Sequence, residues 1–425
     1  MQQTRENLIE EFTWRGLIAQ VSNEEKLAEH LAQPRSVYCG FDPTADSLHI
    51  GSLVPLLALK RFQLAGHRPV LLLGGATGLV GDPSGRADER SLNQSAIVGQ
   101  WVESLRAQVS RFLDFEGSAG ATVCNNLDWT QELDVISFLR DIGKHFSVNA
   151  MVQRDSVKAR LEREGQGISY TEFSYMLLQA MDFLELAKRE KCFVQIGGSD
   201  QWGNIVSGID LIRRHMGEEA FALTMPLVTK ADGSKFGKTA AGAVWLDSSK
   251  TSPYSFYQFW LNSADADVEK FLKLFTFMSQ QDIRALVESA AEAPEQRIAQ
   301  RELARQVTQM VHGDLAVDSA ERISESLFGG DEAKLQREDF LQLQQDGIDS
   351  AVVEEASGLL NAMVAMGAAK STGEARKLVL GNGVRLNGQL VGDVKHKINF
   401  SEAYFDSFFL LRKGKKQHYL LVREN

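Results

Sequence analysis

The residues best suited to chemistry in this sequence stand where short β-branched runs give way to loops rich in Gly, Asp and Thr. The first such stretch is Tyr38-Cys39-Gly40-Phe41-Asp42-Pro43-Thr44, continuing through Ala45-Asp46-Ser47-Leu48 to His49-Ile50-Gly51-Ser52. It reads as a strand ending in a loop that feeds a helix carrying Leu53, Leu56, Leu57 and Leu59. Free N–H groups and the dipole at such a helix start attract phosphate. Thr44 and His49 add side-chain donors, and Gly51 lets a nucleotide approach the backbone closely. On its own, a histidine at a helix start is more often structural. Pro55 must sit in the first turn of that helix or kink it.

A second group is Lys230-Ala231-Asp232-Gly233-Ser234-Lys235-Phe236-Gly237-Lys238-Thr239. Two lysines three apart among glycines give a cationic loop that can close on a triphosphate and follow charge onto leaving pyrophosphate. Standing alone, it would read as a solvated turn. A third lies on a helix opened by the capping box Ser169-Tyr170-Thr171-Glu172. Tyr175, Gln179 and Asp182 follow at i, i+4 and i+7 and share one face, beside an apolar face of Phe173, Met176, Leu177 and Ala180. The spacing leaves open whether that stripe meets solvent or lines a polar pocket. Two further Gly-rich loops, Gly74 to Arg86 and Gly197-Gly198-Ser199-Asp200-Gln201, place carboxylates and amides after predicted strands.

The elements that position these residues alternate in a βαβ rhythm, predicting a parallel sheet over the first ~245 residues. Strands are expected at 37–41, 69–73, 122–124, 192–196 and 223–228. An open α/β sheet puts its ligands at the carboxyl ends of its strands, where these loops fall. The expected organisation is a Rossmann-like catalytic domain over 1–245, an α-helical domain over 246–328, a linker over 329–356 and a small α+β unit over 357–425. Helical spacing recurs in Val268, Phe271, Leu272 and Phe275, and again in Leu303, Val307, Met310 and Val311. In the last unit, Ser371 and Glu374 open a short helix, and Asn387-Gly388 predicts a type I′ hairpin. A second hairpin is expected to pair 408–411 with 419–422.

A chain of 425 residues with 44% hydrophobic and 24% charged residues is ordinary globular composition for two or three domains. No stretch has the ~18 consecutive apolar residues of a membrane span. The opening MQQTRENLIEEF lacks the layout of a secretory signal. Cys39, Cys124 and Cys192 are too few and scattered for a disulfide framework or a zinc site. The expectation is a cytoplasmic, soluble protein with no membrane contact and no dedicated metal site. The net charge of −10 is uneven: from Leu359 onward, 11 Lys and Arg face 5 Asp and Glu, leaving a basic tail on an acidic body. Any nucleic-acid contact is then local and led by the tail.

Taken together, the motifs resemble a known family. His49-Ile50-Gly51 resembles the HIGH signature of class I aminoacyl-tRNA synthetases, and Lys235-Phe236-Gly237-Lys238-Thr239 their KMSKS signature. The stretches YCGFDPTADSLHIG, GGATGLVGDPSG, YMLLQAMDF and IGGSDQWGN are similar to the tyrosine-specific bacterial members, and the tail to an S4-type RNA-binding fold. The resemblance implies L-tyrosine, ATP and tRNA(Tyr) as substrates, Mg²⁺ accompanying ATP, and a homodimer. By the same resemblance, Tyr38 and Asp182 bond the phenol, Asp82, Tyr175 and Gln179 hold the ammonium, and Gln201 lies near the carboxylate. Gly198 and Asp200 meet the ribose, with Cys39, Gly51 and Ser52 beside the nucleotide. Thr44, His49, Lys235, Lys238 and Thr239, with Arg86 and Arg90, stabilise the transferring phosphates. Lys370, Arg376, Lys377, Arg385, Arg412, Lys413, Lys415 and Lys416 are the implied RNA contacts.

Two positions depart from the pattern: Ser52 stands where a second histidine is usual, and Met181 where an aromatic is. A tryptophan-specific relative would lack the Tyr38–Asp182 pair. A stand-alone nucleotidyltransferase would have no use for the tail. A non-catalytic S4-containing RNA binder would be free to lose Lys235, Lys238 or Asp182, all of which are present.

Overall fold

The run Arg-Pro-Val-Leu-Leu-Leu at 68–73 has no polar face, and a strand of that kind is stable only when covered on both sides. In the computed structural model it lies inside a mostly parallel sheet. The structure describes residues 8–84, 94–154, 157–158, 161, 167–234, 236–239, 242–328, 331–414 and 417–424. The chain forms two compact units: Met1–Asp247 with Ala264–Glu292, and Ser248–Ser263 with Ala293–Asn425.

The first unit is built on β1 (Gln20–Val21), β2 (Ser36–Phe41), β3 (Arg68–Leu73), β4 (Thr122–Asn125), β5 (Cys192–Gly198) and β6 (Phe221–Met225), in the order β1-β6-β5-β2-β3-β4. β1 is antiparallel to β6 and the other pairings are parallel. Connections leave the central pair β2–β5 toward opposite edges, so a crevice opens at the carboxyl ends of those strands. The β2–β5 ladder runs only to Tyr38 opposite Gln195, whereas β2 stays paired with β3 as far as Phe41 opposite Leu73. β2 and β5 therefore part beyond Tyr38, and the parting makes room for a cavity.

Three helices carry the residues of interest: α1 (Leu53–Leu64), α2 (Tyr170–Glu190) and α3 (Trp202–Met216). In α1, Leu53, Leu56, Leu57, Leu59 and Phe62 are all fully buried, each worth about 1.5–3 kcal/mol relative to exposure. Pro55 falls in its first turn, where the missing N–H has no intrahelical partner to lose. A short ribbon pairs β7 (Lys238–Thr239) with β8 (Gly242–Ala243). The helices of 246–328 divide between the units. The helix Asp265–Phe275 belongs to the first because Arg15 donates to the carbonyls of Lys273, Thr276 and Met278, and Arg61 to that of Thr276. Pro253–Leu261 belongs to the second, packed on the helices Ile298–His312 and Asp314–Leu327.

The second unit also carries β9 (Ser350–Val353), β10 (Val384–Leu386), β11 (Gln389–Leu390), β12 (Phe408–Lys413) and β13 (Gln417–Arg423), in the order β11-β10-β12-β13-β9. Its helices include α4 (Arg337–Gln345), α5 (Leu359–Ala365) and α6 (Thr372–Leu380). Both expected hairpins form, with Asn387 and Gly388 at φ +47° and +76°, as a type I′ turn requires. The stretch expected as a linker contains α4 and β9. Asp339 is fully buried there, bonded to Ser319 at 2.6 Å and to Arg322 at 2.7 Å, and Phe340 stacks on Phe408. These partners are distant in sequence, so local periodicity does not reveal the helix.

Candidate functional site

The crevice between β2 and β5 is a cavity of about 580 Å³. Its lining gathers Tyr38, Cys39, Thr44, His49, Gly51 and Ser52 from β2 and the loop into α1, with Asp82 from the Gly-rich loop after β3. Tyr175, Gln179 and Asp182 enter from α2, so their polar stripe faces the cavity rather than solvent. Gly198, Asp200 and Gln201 come from the turn after β5. The N-terminal half of α2 is set by Ser169, whose hydroxyl accepts from the backbone N–H of Glu172 at 3.2 Å.

One wall is a buried polar network. Asp182 is 2% exposed; Asn126 donates to its Oδ2 and the Trp129 indole to its Oδ1, both at 2.9 Å. Burial pushes this carboxyl up to about 7, against the pull of those two bonds. Tyr38 is equally buried and its hydroxyl has no partner among the described residues. Burial, then the nearby Asp182 charge, raises its phenol well above the ordinary range. Tyr175 donates its hydroxyl proton to Asp42 at 2.8 Å, while Thr77 donates to the other Asp42 oxygen at 2.7 Å. Gln201 donates to Asp82 at 2.7 Å, and Asn204 to Gln179 at 2.9 Å. Burial and the neighbouring Asp82 also raise the Asp200 carboxyl. Gathered carboxylates and oriented acceptors of this kind suit a cationic, hydrogen-bonding ligand.

The opposite wall is the start of α1. His49 Nδ1 accepts from the N–H of Gly51 at 3.0 Å, so a neutral ring carries its proton on Nε2. A Cβ on Gly51 would lie 2.7 Å from the His49 ring, which makes that glycine a requirement of the histidine cap. The hydroxyl of Ser52 makes no cap bond to α1. His49 also bridges to Trp245, and Ile50 donates to the carbonyl of Val244 at 2.9 Å, which ties this loop to the strand after the lysine-bearing segment.

Lys235, Arg86 and Arg90 lie outside the described residues, as do Lys415 and Lys416 and the side chains of Lys238 and Thr239. Phe236, between the two lysines, lines the cavity. Lys370, Arg376, Lys377 and Arg385 are exposed on the second unit, whereas Arg412 and Lys413 are half-buried, with Lys413 donating to the carbonyl of Ala368 at 2.8 Å. Sequence reasoning missed Asp42, Thr77, Asn126, Trp129 and Asn204. Asn126 and Trp129 directly follow β4, so their place at a strand's carboxyl end was a usable signal. Gln195 was missed as well; it lines the cavity, its buried Oε1 unpaired among the described residues. Among the described residues, no group of three or more His, Cys, Asp or Glu is arranged to hold a metal ion. No helix is long and apolar enough to cross a membrane among those residues.

Comparison with known proteins gives consistent relatives for both parts of the chain. Residues 30–329 match the family of tRNA synthetases class I (W and Y), and 339–421 match the tyrosine--tRNA ligase SYY-like C-terminal domain. The chain is 55% identical over 418 residues to a tyrosine--tRNA ligase of Pectobacterium carotovorum subsp. carotovorum, covering 98% of each chain. It is 56% identical over 417 residues to tyrosine--tRNA ligase 1 of Photorhabdus laumondii subsp. laumondii, again covering 98% of each. A C-terminally truncated mitochondrial tyrosyl-tRNA synthetase from Aspergillus nidulans superposes with a TM-score of 0.69 at 30% identity, over 77% of this chain and 98% of that one.

Proposed function

Because the chain belongs to the tyrosine–tRNA ligases of class I, and so activates L-tyrosine with ATP and passes it to tRNA(Tyr), we propose a division of that work among its residues. The observation that carries it is the buried pair at one wall of the cavity: a Tyr38 hydroxyl without a partner among the described residues and an Asp182 carboxylate fixed by two donors. A phenol O–H donating to Asp182 while accepting from Tyr38 satisfies both. Phenylalanine would leave both unmet, at the cost of unpaired buried polar groups.

The ammonium of tyrosine is met by Asp82, Gln179 and Tyr175. With its O–H engaged as donor to Asp42, the Tyr175 hydroxyl presents lone pairs to that ammonium. Gln201, held by Asp82, lies near the substrate carboxylate. Gly198 and Asp200 take the ribose, with Cys39 and Gly51 beside it. The substrate carboxylate is already ionised and attacks the α-phosphorus in line. A carboxyl O–P bond forms, the bond to the β-phosphate oxygen breaks, and pyrophosphate leaves; no general base is needed. Thr44, His49 through its Nε2 proton, Ser52, Lys235, Lys238 and Thr239, with Arg86 and Arg90, stabilise the charge that develops on the phosphates. Mg²⁺ arrives on the phosphates of ATP as part of the substrate. The adenylate then yields its tyrosyl group to the tRNA 3′ end with release of AMP.

The working form is a cytoplasmic homodimer. Val135, Ile136, Leu139 and Val148, 46–70% exposed in one segment of the first unit, support a surface for a second copy. The basic side chains of the second unit contact tRNA. Tyrosine-dependent exchange of pyrophosphate into ATP tests the activation step directly, and its absence with purified protein would refute the assignment. Sedimentation of Ile136→Asp tests the dimer, which should dissociate.

A further inference from the structure

The lysine-bearing segment carries the charge chemistry in the reading above, and this inference rests on that reading. What fixes the segment's base is the helix Asp265–Phe275. Asp267, 4% exposed, turns its Oδ1 away from its own helix and accepts the backbone N–H of Ala231 at 2.7 Å, 36 residues earlier. One turn later, Lys270 donates to the carbonyl of Thr229 at 2.8 Å. On the far side of Lys235, the ring of Phe236 lies 5.0 Å from that of Phe271 and stacks at 5.1 Å on that of Phe275. The segment is thus gripped on both flanks by one helix. The C-terminal end of that helix is held by Arg61 of α1, the helix that begins just after His49-Ile50-Gly51-Ser52.

We propose that Asp267 is a positioning residue for adenylate formation: through the Ala231 amide it sets the base of the Lys235–Thr239 segment, while Phe271 and Phe275 seat Phe236. An aspartate in a first helical turn usually serves its own helix N-terminus. Here the acceptor is spent instead on the amide of a loop residue 36 positions earlier in the chain. Misplacement of a charge-stabilising group by about 1 Å costs on the order of 100-fold in rate.

The test compares Asp267→Ala with Asp267→Asn in the full-length protein, since the asparagine carbonyl can still accept from Ala231. Asp267→Ala should lower kcat of tyrosine-dependent pyrophosphate exchange by about 10- to 100-fold. KM for tyrosine and tyrosine affinity without ATP should stay within about twofold, and Asp267→Asn should restore most of the rate. In a Lys238→Ala background, Asp267→Ala should cost much less than alone, because the two act through one segment. A wild-type rate for Asp267→Ala overturns the proposal. So does an Asp267→Asn variant as slow as the alanine, or a fall in tyrosine affinity parallel to the fall in rate. Lys238→Ala distinguishes the two levels: if it exchanges normally, the reading of the lysine segment fails. If it is slow while Asp267→Ala is normal, only the positioning role fails.

Discussion

The indole N–H of Trp129 donates to Oδ1 of Asp182 at 2.9 Å, joining two buried groups 53 residues apart. With Asn126 on the other oxygen, the bond favours the charged carboxylate where burial opposes it. The balance leaves the Asp182 carboxyl raised to about 7.

Tyrosine affinity should therefore depend on pH. The substrate phenol donates to an ionised Asp182, and protonation removes that acceptor. The carboxyl is raised, so the protonated fraction grows as pH falls through about 7. Binding should be tightest above neutrality and weaken toward a limit of about tenfold per pH unit below it. Fluorescence titrations between about pH 5.5 and 8.5 check this, and a flat profile would show that Asp182 is ionised throughout. Trp129→Phe withdraws a bond to the charged form and should move the midpoint upward.

Tyr38→Phe removes a buried hydroxyl that has no partner among the described residues. The free protein should be as stable as the parent within about 1 kcal/mol, or slightly more so. Its kcat/KM for tyrosine should fall about tenfold while that for phenylalanine changes little, narrowing the gap between the two amino acids. Thermal melts and paired exchange assays measure both, and an unchanged ratio would place the phenol elsewhere.

Lys235→Ala and Lys238→Ala should each slow adenylate formation by roughly 10- to 1,000-fold, the scale of lost transition-state electrostatics. Tyrosine binding without ATP should barely change. Collapse of that binding would make the segment structural. Ser52→His is the companion: it should leave tyrosine binding alone and give activation equal to or faster than the parent.

On the second unit, Arg376 and Lys377 are exposed on α6. Replacing both with alanine should weaken tRNA binding and make its salt dependence shallower, by up to about 0.9 in the log–log slope per lost phosphate contact. Exchange without tRNA should be untouched. An unaltered slope in filter-binding titrations would remove this face from the RNA contact.

Much of this site is legible in the sequence because its residues sit where a repeated pattern breaks. Tyr38 lies on a strand that runs into a Gly- and Asp-bearing loop, His49 opens a helix, and Tyr175, Gln179 and Asp182 recur at helical spacing. Asn126 and Asp42 stand just past strand ends, but nothing in the sequence pairs them or Trp129 with the residues they bond, which only the fold brings close. The same limit hid α4. Its sequence Arg-Glu-Asp-Phe-Leu-Gln-Leu-Gln-Gln offers only Phe340 and Leu343 to a core, and what holds it is Asp339 in contact with Ser319 and Arg322. Position 52 was readable as a departure, but that its hydroxyl makes no cap bond to α1 was not.

The interleaving of the two units has a consequence for synthesis on the ribosome. The chain passes from the first unit to the second at residue 248, returns at 264 and leaves again at 293. The catalytic sheet is complete once β6 emerges, yet Arg15 and Arg61 have no carbonyls to receive them until the chain is made as far as Met278. By then Pro253–Leu261, with Phe256 and Trp260 destined for burial, has already emerged and must wait for Ile298–His312 to cover it. A nascent chain thus exposes one apolar helix of the later unit while the earlier unit is closing, and the interval lasts some seconds at ordinary elongation rates of about 5–20 residues per second.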